Sequence, residues 1–443
     1  MVTTVGKFFV QNFGCRATQA DGAALESSLA AGGLSQAGER SAADLVVLNT
    51  CTVTVSADED VRQTIRRVHR ENPAARILVT GCYAQRAPQE LARMPGVEWV
   101  VGNSHKHAIP ELIALAPANA PYHGNIHVGD IHVGDIFAQH AFLSAPVEDA
   151  AGDRTRPNLK IQDGCNNRCS FCIIPFVRGG SRGMPADEVV AQVGRLALRY
   201  REVVLTGINL GRWGREPGST LRLAGLLRRL LGETAIERLR LSSVEPMDFS
   251  DELLELMASS ARIAPHVHAP LQSGSDRILR RMHRKYRPRH YADRILQARR
   301  LMPDAAIGAD VMVGFPGETG ADFEESRQFI DGLPFTYLHV FTYSERPGTP
   351  AAEDPLAVPT AVRKERNRVL RDLADRKNRE FRQRMVGRTL SAVTLHEPGT
   401  ALTGNYLKVQ LASLRSPNLM ADVQIGGLTS DGLREVGHAL ACP

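Results

Sequence analysis

Six of the seven cysteines in this chain of 443 residues form two groups of three. The first group is spread over the opening eighty-odd residues: Cys15, Cys51 and Cys82. The second group shares one short loop: Cys165, Cys169 and Cys172. Three thiolates are one fewer than a closed four-ligand site needs, so a metal or cluster bound by them keeps one open position. The grouping therefore predicts a metalloenzyme with two centres.

Short apolar runs alternate with helical segments over residues 1–115, and this alternation predicts a doubly wound parallel sheet. The predicted strands are KFFVQNF, DLVVLNT, RILVTG and VEWVVG. Each cysteine of the first group follows the end of one of these strands. Because the carboxyl ends of parallel strands meet at one edge of an open sheet, the three cysteines are expected to converge.

The same alternation returns over residues 156–360 and predicts a partial (βα)6 barrel. Its six predicted strands are NLKIQ, EVVLTG, RLRLSS, HVHAPL, IGADVMVG and YLHVFTY. Active sites of such barrels lie at the carboxyl ends of the strands. Cys165 follows the first of these strands, where that rule places a functional residue.

The remaining segments are predicted to connect the domains and bind RNA. Residues 116–155 read as a linker that contains a duplicated IHVGD unit, and residues 361–387 as a basic connecting helix. Residues 388–443 carry short β-like runs with glycine turns and predict a small all-β module. Cys442, outside both groups, is interpreted as incidental. No signal peptide or membrane span is recognisable, so a cytoplasmic protein is expected.

Two basic stretches suit a phosphate backbone. Residues 277–289 hold seven Lys or Arg and no acid, and residues 363–388 hold eleven against four acids. A solvated helix face is the alternative interpretation of either stretch.

The spacing Cys165-x3-Cys169-x2-Cys172 is typical of thiolates that wrap an iron–sulfur cluster. A structural zinc site would show a fourth Cys or His close by, and the next His is His266. With the aromatic Phe171 before the last cysteine, the loop resembles that of the radical S-adenosylmethionine superfamily. The resemblance implies a [4Fe-4S] cluster whose fourth iron binds S-adenosylmethionine and whose reduction gives a 5′-deoxyadenosyl radical.

The same resemblance implies that the strand ends of the barrel line the S-adenosylmethionine pocket. The implied lining residues come from the cluster loop and from strands two to five: Phe171, Thr206, Gly207, Asn209, Ser242, Glu245, Gln272, Ser273, Asp310 and Gly314.

Together, the three domains resemble the radical S-adenosylmethionine methylthiotransferases along nearly the whole chain. That family implies a second [4Fe-4S] cluster on the N-terminal cysteines and a C-terminal TRAM-like RNA-binding module. The segments NFGCRATQ, LNTCTVT and TGNYLKV resemble those of enzymes acting on N6-threonylcarbamoyladenosine at position 37 of tRNA. The implied partners are the tRNA anticodon arm, a flavodoxin- or ferredoxin-type reductant and a sulfur donor. The residues expected to bind substrate or RNA are Arg178, Arg182, Arg284, Lys285 and Lys408. Arg178 and Arg182, close after the cluster loop, are expected to face substrate phosphate or S-adenosylmethionine, and simple surface salt bridging is the alternative interpretation.

Alternatives remain open at this stage. The first alternative is an enzyme with the same chemistry that acts on N6-isopentenyladenosine or on a ribosomal-protein aspartate. An iron–sulfur electron carrier with an RNA-binding tail is another, although ferredoxin-type clusters use four cysteines. A zinc-stabilised RNA-binding protein without catalysis is the third.

Overall fold

The computed structural model describes residues 6–115, 129–138, 142 and 155–437. Most of the predicted linker, the beginning of the duplicated unit and Cys442 lie outside the described residues.

The N-terminal domain is a six-stranded parallel sheet in the order β2-β1-β3-β4-β5-β6. Its strands are β1 Lys7–Asn12, β2 Ser35–Gln36, β3 Leu45–Thr50, β4 Arg76–Gly81, β5 Val97–Gly102 and β6 Asp130–His132. Its helices are α1 Arg16–Ala31, α2 Val55–Glu71, α3 Cys82–Arg86, α4 Pro88–Ala92 and α5 Ile109–Leu115. Separate apolar clusters cover the two faces of the sheet, as in a doubly wound fold.

The junction between the two copies of the duplicated unit extends this sheet. Asp130 and His132 bound strand β6, which pairs in parallel with Trp99–Val101 of β5. The predicted domain boundary at residue 115 therefore omits a strand. A three-residue edge strand is too short to produce a recognisable apolar pattern.

The six predicted barrel strands are present, together with a short additional strand. The strands are β7 Asn158–Asp163, β8 Arg182–Gly183, β9 Glu202–Gly207, β10 Arg238–Leu241, β11 His266–His268, β12 Ala306–Val313 and β13 Tyr337–Thr342. The helices are α6 Ile174–Arg178, α7 Ala186–Ala197, α8 Leu223–Glu233, α9 Asp251–Ser259, α10 Asp276–Arg281, α11 Pro288–Leu301 and α12 Gly320–Gly332.

These strands form two sheets, β10-β9-β7-β8 and β11-β12-β13, linked by a parallel bridge between Leu239 and Ile263. Strand β8 pairs antiparallel with β7 at one end of the arrangement, and β13 lies at the other. The barrel is therefore partial, with an open side between its first and last parallel strands.

Residue parity separates the two faces of the barrel strands. In β12, Ile307, Ala309, Val311 and Val313 belong to the apolar core beneath the helices. The alternate residues, such as Asp310, face the inside of the barrel, here called the lumen. In β13 the lumen-facing residues are Tyr337, His339 and Phe341, because Asp310 and Met312 pair with the latter two across a parallel ladder.

Helix α13, Thr360–Arg384, connects the barrel to a closed five-stranded barrel. That module contains β14 Thr389–Thr394, β15 Thr400–Thr403, β16 Lys408–Gln410, β17 Met420–Leu428 and β18 Leu433–Glu435. Phe381 and Met385, at the end of α13, belong to its core. The small all-β module predicted from the sequence is confirmed.

Candidate active site

The N-terminal cysteines lie at three adjacent strand ends. Cys51 and Cys82 directly follow β3 and β4, and Cys15 caps α1 three residues after β1. Gly14 has a φ of +92°, and a Cβ there would lie 2.8 Å from Cys51 Sγ. Only glycine tolerates both that backbone conformation and that approach, so Gly14 allows the Cys15 loop to close onto Cys51.

The sulfurs of this group influence one another. Burial, followed by the proximity of Cys82 and Cys15, raises the pKa of Cys51 to about 12. Two buried donors point at the third sulfur: Arg178 Nε lies 3.3 Å and Asn103 Nδ2 lies 3.6 Å from Cys82 Sγ. A thiolate cage that repels its own charge but is surrounded by donors suits a cationic metal cluster.

The second group occupies the loop between β7 and α6. Gly164, with a φ of +69°, starts this loop, and Cys165 N donates to Gly179 O at 3.0 Å. Asn167 N and Asn209 Nδ2 lie 3.4 and 3.8 Å from Cys165 Sγ. Burial and the neighbouring Cys169 raise the pKa of Cys172 to about 12. This group therefore has the same electrostatic character as the first.

Most of the predicted cofactor residues lie at the carboxyl ends of strands around this loop. Three of them carry buried polar atoms with no hydrogen-bond partner in the described structure: Asn209 Oδ1, Ser242 Oγ and Gln272 Oε1. Buried polar atoms are normally paired, so these atoms, which follow β9, β10 and β11, indicate space for a polar ligand. Their chemistry fits the ribose, amino and carboxylate groups of S-adenosylmethionine.

The other predicted cofactor residues line or support the same region, with two exceptions. Phe171 packs edge-on against Phe315, Gly207 adjoins Gln162, and Thr206 is buried at the end of β9. Gly314 N donates to Glu318 Oε2 at 2.6 Å.

Asp310 and Ser273 are the exceptions. Asp310 lies in the middle of β12 rather than at its end. Ser273 is buried against Ser326 of α12, with its Oγ 3.0 Å from that of Ser326. Both positions differ from the prediction of a strand-end pocket residue. Asp310 does so because β12 continues three residues beyond it, and Ser273 because the loop after β11 turns towards α12.

Arg178 and Arg182, predicted to face substrate phosphate or S-adenosylmethionine, are both buried in this structure. Arg178 is 1% exposed and pairs with Asp21 at 2.8 Å and with Asp163 at 2.9 Å. Arg182 NH1 donates to the carbonyls of Arg178 and Gly180. The two arginines therefore serve the interface between the N-terminal domain and the barrel.

Arg284 is likewise not available to RNA. Its guanidinium lies 3.2 Å from Cys169 Sγ and pairs with Glu245 at 2.5 Å, and the residue is 7% exposed. Glu245, predicted to contact cofactor, orients this arginine. Lys285 is exposed, and Lys408 pairs with Glu397 at 2.8 Å on the surface of the small module.

Ion pairs also reduce the positive charge of the two basic stretches. Arg277, Arg280 and Arg281 pair with Asp322, Asp276 and Asp354. In α13, the paired arginines are Arg366, Arg368 and Arg376. Exposed basic side chains that remain for a phosphate backbone include Lys285, Lys364 and Arg371.

Buried ion pairs join the N-terminal domain to the first strand of the barrel. Lys160 of β7 contacts Asp21 of α1 at 2.5 Å and Asp163 at 2.9 Å. Burial opposes ionisation of Asp21, but Lys106, Lys160 and Arg178 together hold the pKa of its carboxyl well below its usual range. These partners are far apart in sequence, and no local pattern indicated them.

A second set of contacts joins the same domain to the other edge of the barrel. Val55 N donates to Ser344 Oγ at 3.0 Å, and Arg346 binds Thr52 O at 3.2 Å and Asp58 at 2.6 Å. Ser344 and Arg346 follow β13. The N-terminal domain thus contacts both edges of the partial barrel, and its cysteine-bearing edge faces the open side of the lumen.

Sequence comparisons agree with this architecture. Residues 7–102 match the family described as uncharacterized protein family UPF0004, and residues 159–330 match the radical SAM superfamily. Among solved structures, the radical S-adenosylmethionine methyltransferase TsrM from Kitasatospora setae is similar in fold, with a TM-score of 0.56 at 16% identity. The similarity covers 79% of this chain and 77% of that one. Fold and cysteine loop together define a radical S-adenosylmethionine protein.

Named relatives identify the family within this class to which the chain belongs. The threonylcarbamoyladenosine tRNA methylthiotransferase MtaB of Aquifex aeolicus is 38% identical over 91% of this chain and 96% of its own length. The tRNA-2-methylthio-N(6)-dimethylallyladenosine synthase of Novosphingobium aromaticivorans is 33% identical over 97% of this chain and 95% of its own. The chain therefore belongs to the radical S-adenosylmethionine tRNA methylthiotransferase family. None of the helices in the described ranges combines the length and apolarity that crossing a membrane requires.

Proposed function

We propose that this chain adds a methylthio group to C2 of N6-threonylcarbamoyladenosine at position 37 of tRNA, beside the anticodon. The observation that carries the proposal is that α6, the helix directly after the barrel cysteine loop, packs against the N-terminal cysteine group. This helix begins two residues after Cys172, and Arg178 at its end contacts Cys82 Sγ. An enzyme that transfers sulfur to a radical centre needs its two centres next to a shared substrate space.

Each cysteine group is proposed to hold one [4Fe-4S] cluster. Cys165, Cys169 and Cys172 would hold the cluster that binds S-adenosylmethionine, with Asn209, Ser242 and Gln272 around that ligand. When bound, this pair supplies radical chemistry, which a C–H bond as weakly acidic as adenine C2–H requires. The other cysteine group would hold the cluster that carries the sulfur.

Buried donors of the chain position the ligand sulfurs of the two sites. Arg284 donates to Cys169 Sγ and is held by Glu245, while Arg178 and Asn103 donate to Cys82 Sγ. Contacts at both barrel edges hold the N-terminal domain against the barrel. Because Arg178, Asn103 and Arg284 are buried, these fixed donors act on the sulfurs more strongly than they would in water.

The substrate base is proposed to leave its stack and enter the lumen, as enzymes that modify bases require. The TRAM-like module, with Lys408, and the exposed Lys285 are proposed to contact phosphates of the anticodon arm. A flavodoxin- or ferredoxin-type reductant and a sulfur donor are further proposed partners, because the chemistry consumes electrons and sulfur.

Mass spectrometry of tRNA nucleosides tests the proposed substrate. A strain lacking the gene is expected to lose 2-methylthio-N6-threonylcarbamoyladenosine and accumulate its precursor, and complementation is expected to restore it. Loss of the isopentenyl analogue instead would retain the chemistry and overturn the substrate. An unchanged tRNA profile would overturn the proposal and favour a protein substrate.

Iron and acid-labile sulfide analysis of the reconstituted protein tests the two clusters. About eight irons per chain are expected, compared with about four for a single [4Fe-4S] cluster. A protein that retains zinc and little sulfide would contradict both cluster assignments.

A further inference from the structure

The lumen contains a group of polar side chains that the cluster sites do not use. His268, Asp310 and His339 lie on three adjacent strands, and one ligand atom of each lies within 4.8 Å of the others. His339 Nδ1 donates to Asp310 Oδ1 at 3.1 Å, and His268 Nε2 lies 3.1 Å from the same oxygen. Behind them, Tyr337 OH lies 2.9 Å from His268 Nδ1 and 2.7 Å from His266 Nε2.

These residues form a row of polar side chains in mutual contact, and the row becomes more exposed along its length. His266 and His268 are 2% and 6% exposed, whereas the side chain of Asp310 is 22% and that of His339 is 55% exposed. Burial opposes ionisation of Asp310, but the two neighbouring rings lower the pKa of its carboxyl. A buried carboxylate that accepts from a ring fixes the ring's orientation and leaves its other nitrogen for a ligand.

His339 Nε2 is that other nitrogen, and no described residue bonds it. Other charged residues on the inner strand faces are already engaged by protein groups. Lys160 pairs with two aspartates, and Arg240 pairs with Glu202 and binds two carbonyls. On the lumen faces of the described barrel strands, His339 is the polar residue whose side chain is exposed. Phe341, two residues further along the same face, is 39% exposed and apolar.

The two tRNA substrates named for the relatives differ in what such a ring can bind. A threonylcarbamoyl group carries a carboxylate, a hydroxyl and a urea, whereas a dimethylallyl group is a hydrocarbon. An imidazole Nε2 donates to the carboxylate when protonated and otherwise accepts from the hydroxyl or urea N–H. Sites built to hydrogen-bond a polar substituent discriminate strongly against analogues that lack it.

We propose that His339 binds the threonylcarbamoyl group of the substrate adenosine and that Asp310, backed by His268, positions the His339 ring. This inference rests on the proposed function and assigns the choice between a polar and an apolar N6 substituent to one side chain. Phe341 lies beside it as an apolar surface for the base.

The test compares His339→Phe with His339→Gln, using His290→Phe as the control. His290 is a partly exposed histidine on α11, outside the lumen. Anticodon stem-loops carrying threonylcarbamoyladenosine or unmodified adenosine at position 37 are titrated against the cluster-free protein. Methylthiolation is then followed in a single turnover with the reconstituted protein.

Wild type is expected to bind the threonylcarbamoyl hairpin more tightly than the unmodified one. His339→Phe is expected to reduce that preference about 10- to 100-fold, the range for losing one hydrogen bond to a charged group, and His339→Gln less. Methylthiolation should fall in parallel, while S-adenosylmethionine cleavage without RNA stays within about twofold of wild type. The control should match wild type in all three measurements.

The inference is overturned if His339→Phe distinguishes the two hairpins as well as wild type does. Failure of the proposed function would look different, because wild type itself would then not methylthiolate the threonylcarbamoyl hairpin. A wild type that modifies this hairpin, together with a His339→Phe variant that does so equally well, would remove the inference and leave the function intact.

Discussion

Arg178 lies at the end of the helix that follows the barrel cysteine loop and contacts the N-terminal cysteine group, and replacing it tests the effect of this contact on that group. Its Nε donates to Cys82 Sγ at 3.3 Å, and its terminal nitrogens pair with Asp21 and Asp163. Hydrogen bonds and positive charge near a ligand sulfur stabilise the reduced form of an iron–sulfur cluster. We therefore expect Arg178→Gln to lower the reduction potential of the cluster proposed for the N-terminal cysteines.

The magnitude follows from the hydrogen bond that is lost. A hydrogen bond to a charged group contributes about 1.5–3 kcal/mol. If about half of this energy differs between the two oxidation states, the one-electron potential falls by about 30–60 mV, since 59 mV corresponds to about 1.4 kcal/mol. Lys160 still neutralises Asp21 and Asp163, so the stability cost is expected near the lower end of about 3–5 kcal/mol.

The measurement is a potentiometric titration followed by electron paramagnetic resonance. It uses protein whose three barrel cysteines are replaced by Ala, so that the signal comes from the N-terminal cluster. Arg182→Gln is the matched control, because Arg182 is buried in the same interface and donates to carbonyls. Arg178→Lys, which keeps the charge, is expected to lie between wild type and Arg178→Gln. A potential that shifts upwards, or no further than in Arg182→Gln, would refute the reasoning.

Three further predictions concern cluster content and stability. Replacing the N-terminal cysteine group by Ala should reduce iron by about half while S-adenosylmethionine cleavage without RNA persists; complete loss of cleavage would contradict separate sites. Arg346→Met should lower the free energy of unfolding in urea by about 1–3 kcal/mol, because among the described residues Asp58 then keeps Arg86 alone as an ionic partner; an unchanged urea midpoint would argue against this contact. Burial opposes ionisation of Glu202, but the neighbouring arginines, led by Arg240, outweigh this effect and lower its pKa to about 2. The stabilisation contributed by the Glu202 carboxylate should therefore be complete above about pH 4.5 and decrease towards pH 2. The difference in unfolding free energy between wild type and Glu202→Gln should then shrink on acidification. A difference that grows on acidification would contradict this prediction.

The parts of this site that the sequence predicted follow from local rules. Cys15, Cys51 and Cys82 were expected to converge because each follows an apolar run and parallel strands end at one edge. The same rule predicted the position of the Cys165 loop, and the strand-end positions of Asn209 and Ser242 agree with the pocket that the family resemblance implied. Strand periodicity and strand-end position are properties of a few consecutive residues, so the sequence displays them directly.

The parts that were missed depend on contacts between distant residues. Arg178 was assigned to RNA because Asp21, its partner 157 residues away, has no local signature. Arg284 was assigned to RNA for the same reason. It belongs to a stretch with seven basic residues, and composition does not distinguish the one whose side chain is buried against Glu245 and Cys169. Asn103 follows a strand end, and that position was the one available signal for its contact with Cys82 Sγ.

The small C-terminal module is fixed to the barrel by residues that also line the lumen. Arg240 is fully buried, pairs with Glu202, and donates to the carbonyls of Thr403 and Gly404. Tyr406 of the module stacks on His266, the innermost member of the row that ends at His339. Because buried polar contacts of this kind break only at considerable cost, the module holds a set orientation relative to the lumen. An anticodon arm bound by the module would therefore present its modified base at a set distance from the two cysteine groups. Weakening this joint should then impair reaction with whole tRNA more than S-adenosylmethionine cleavage without RNA.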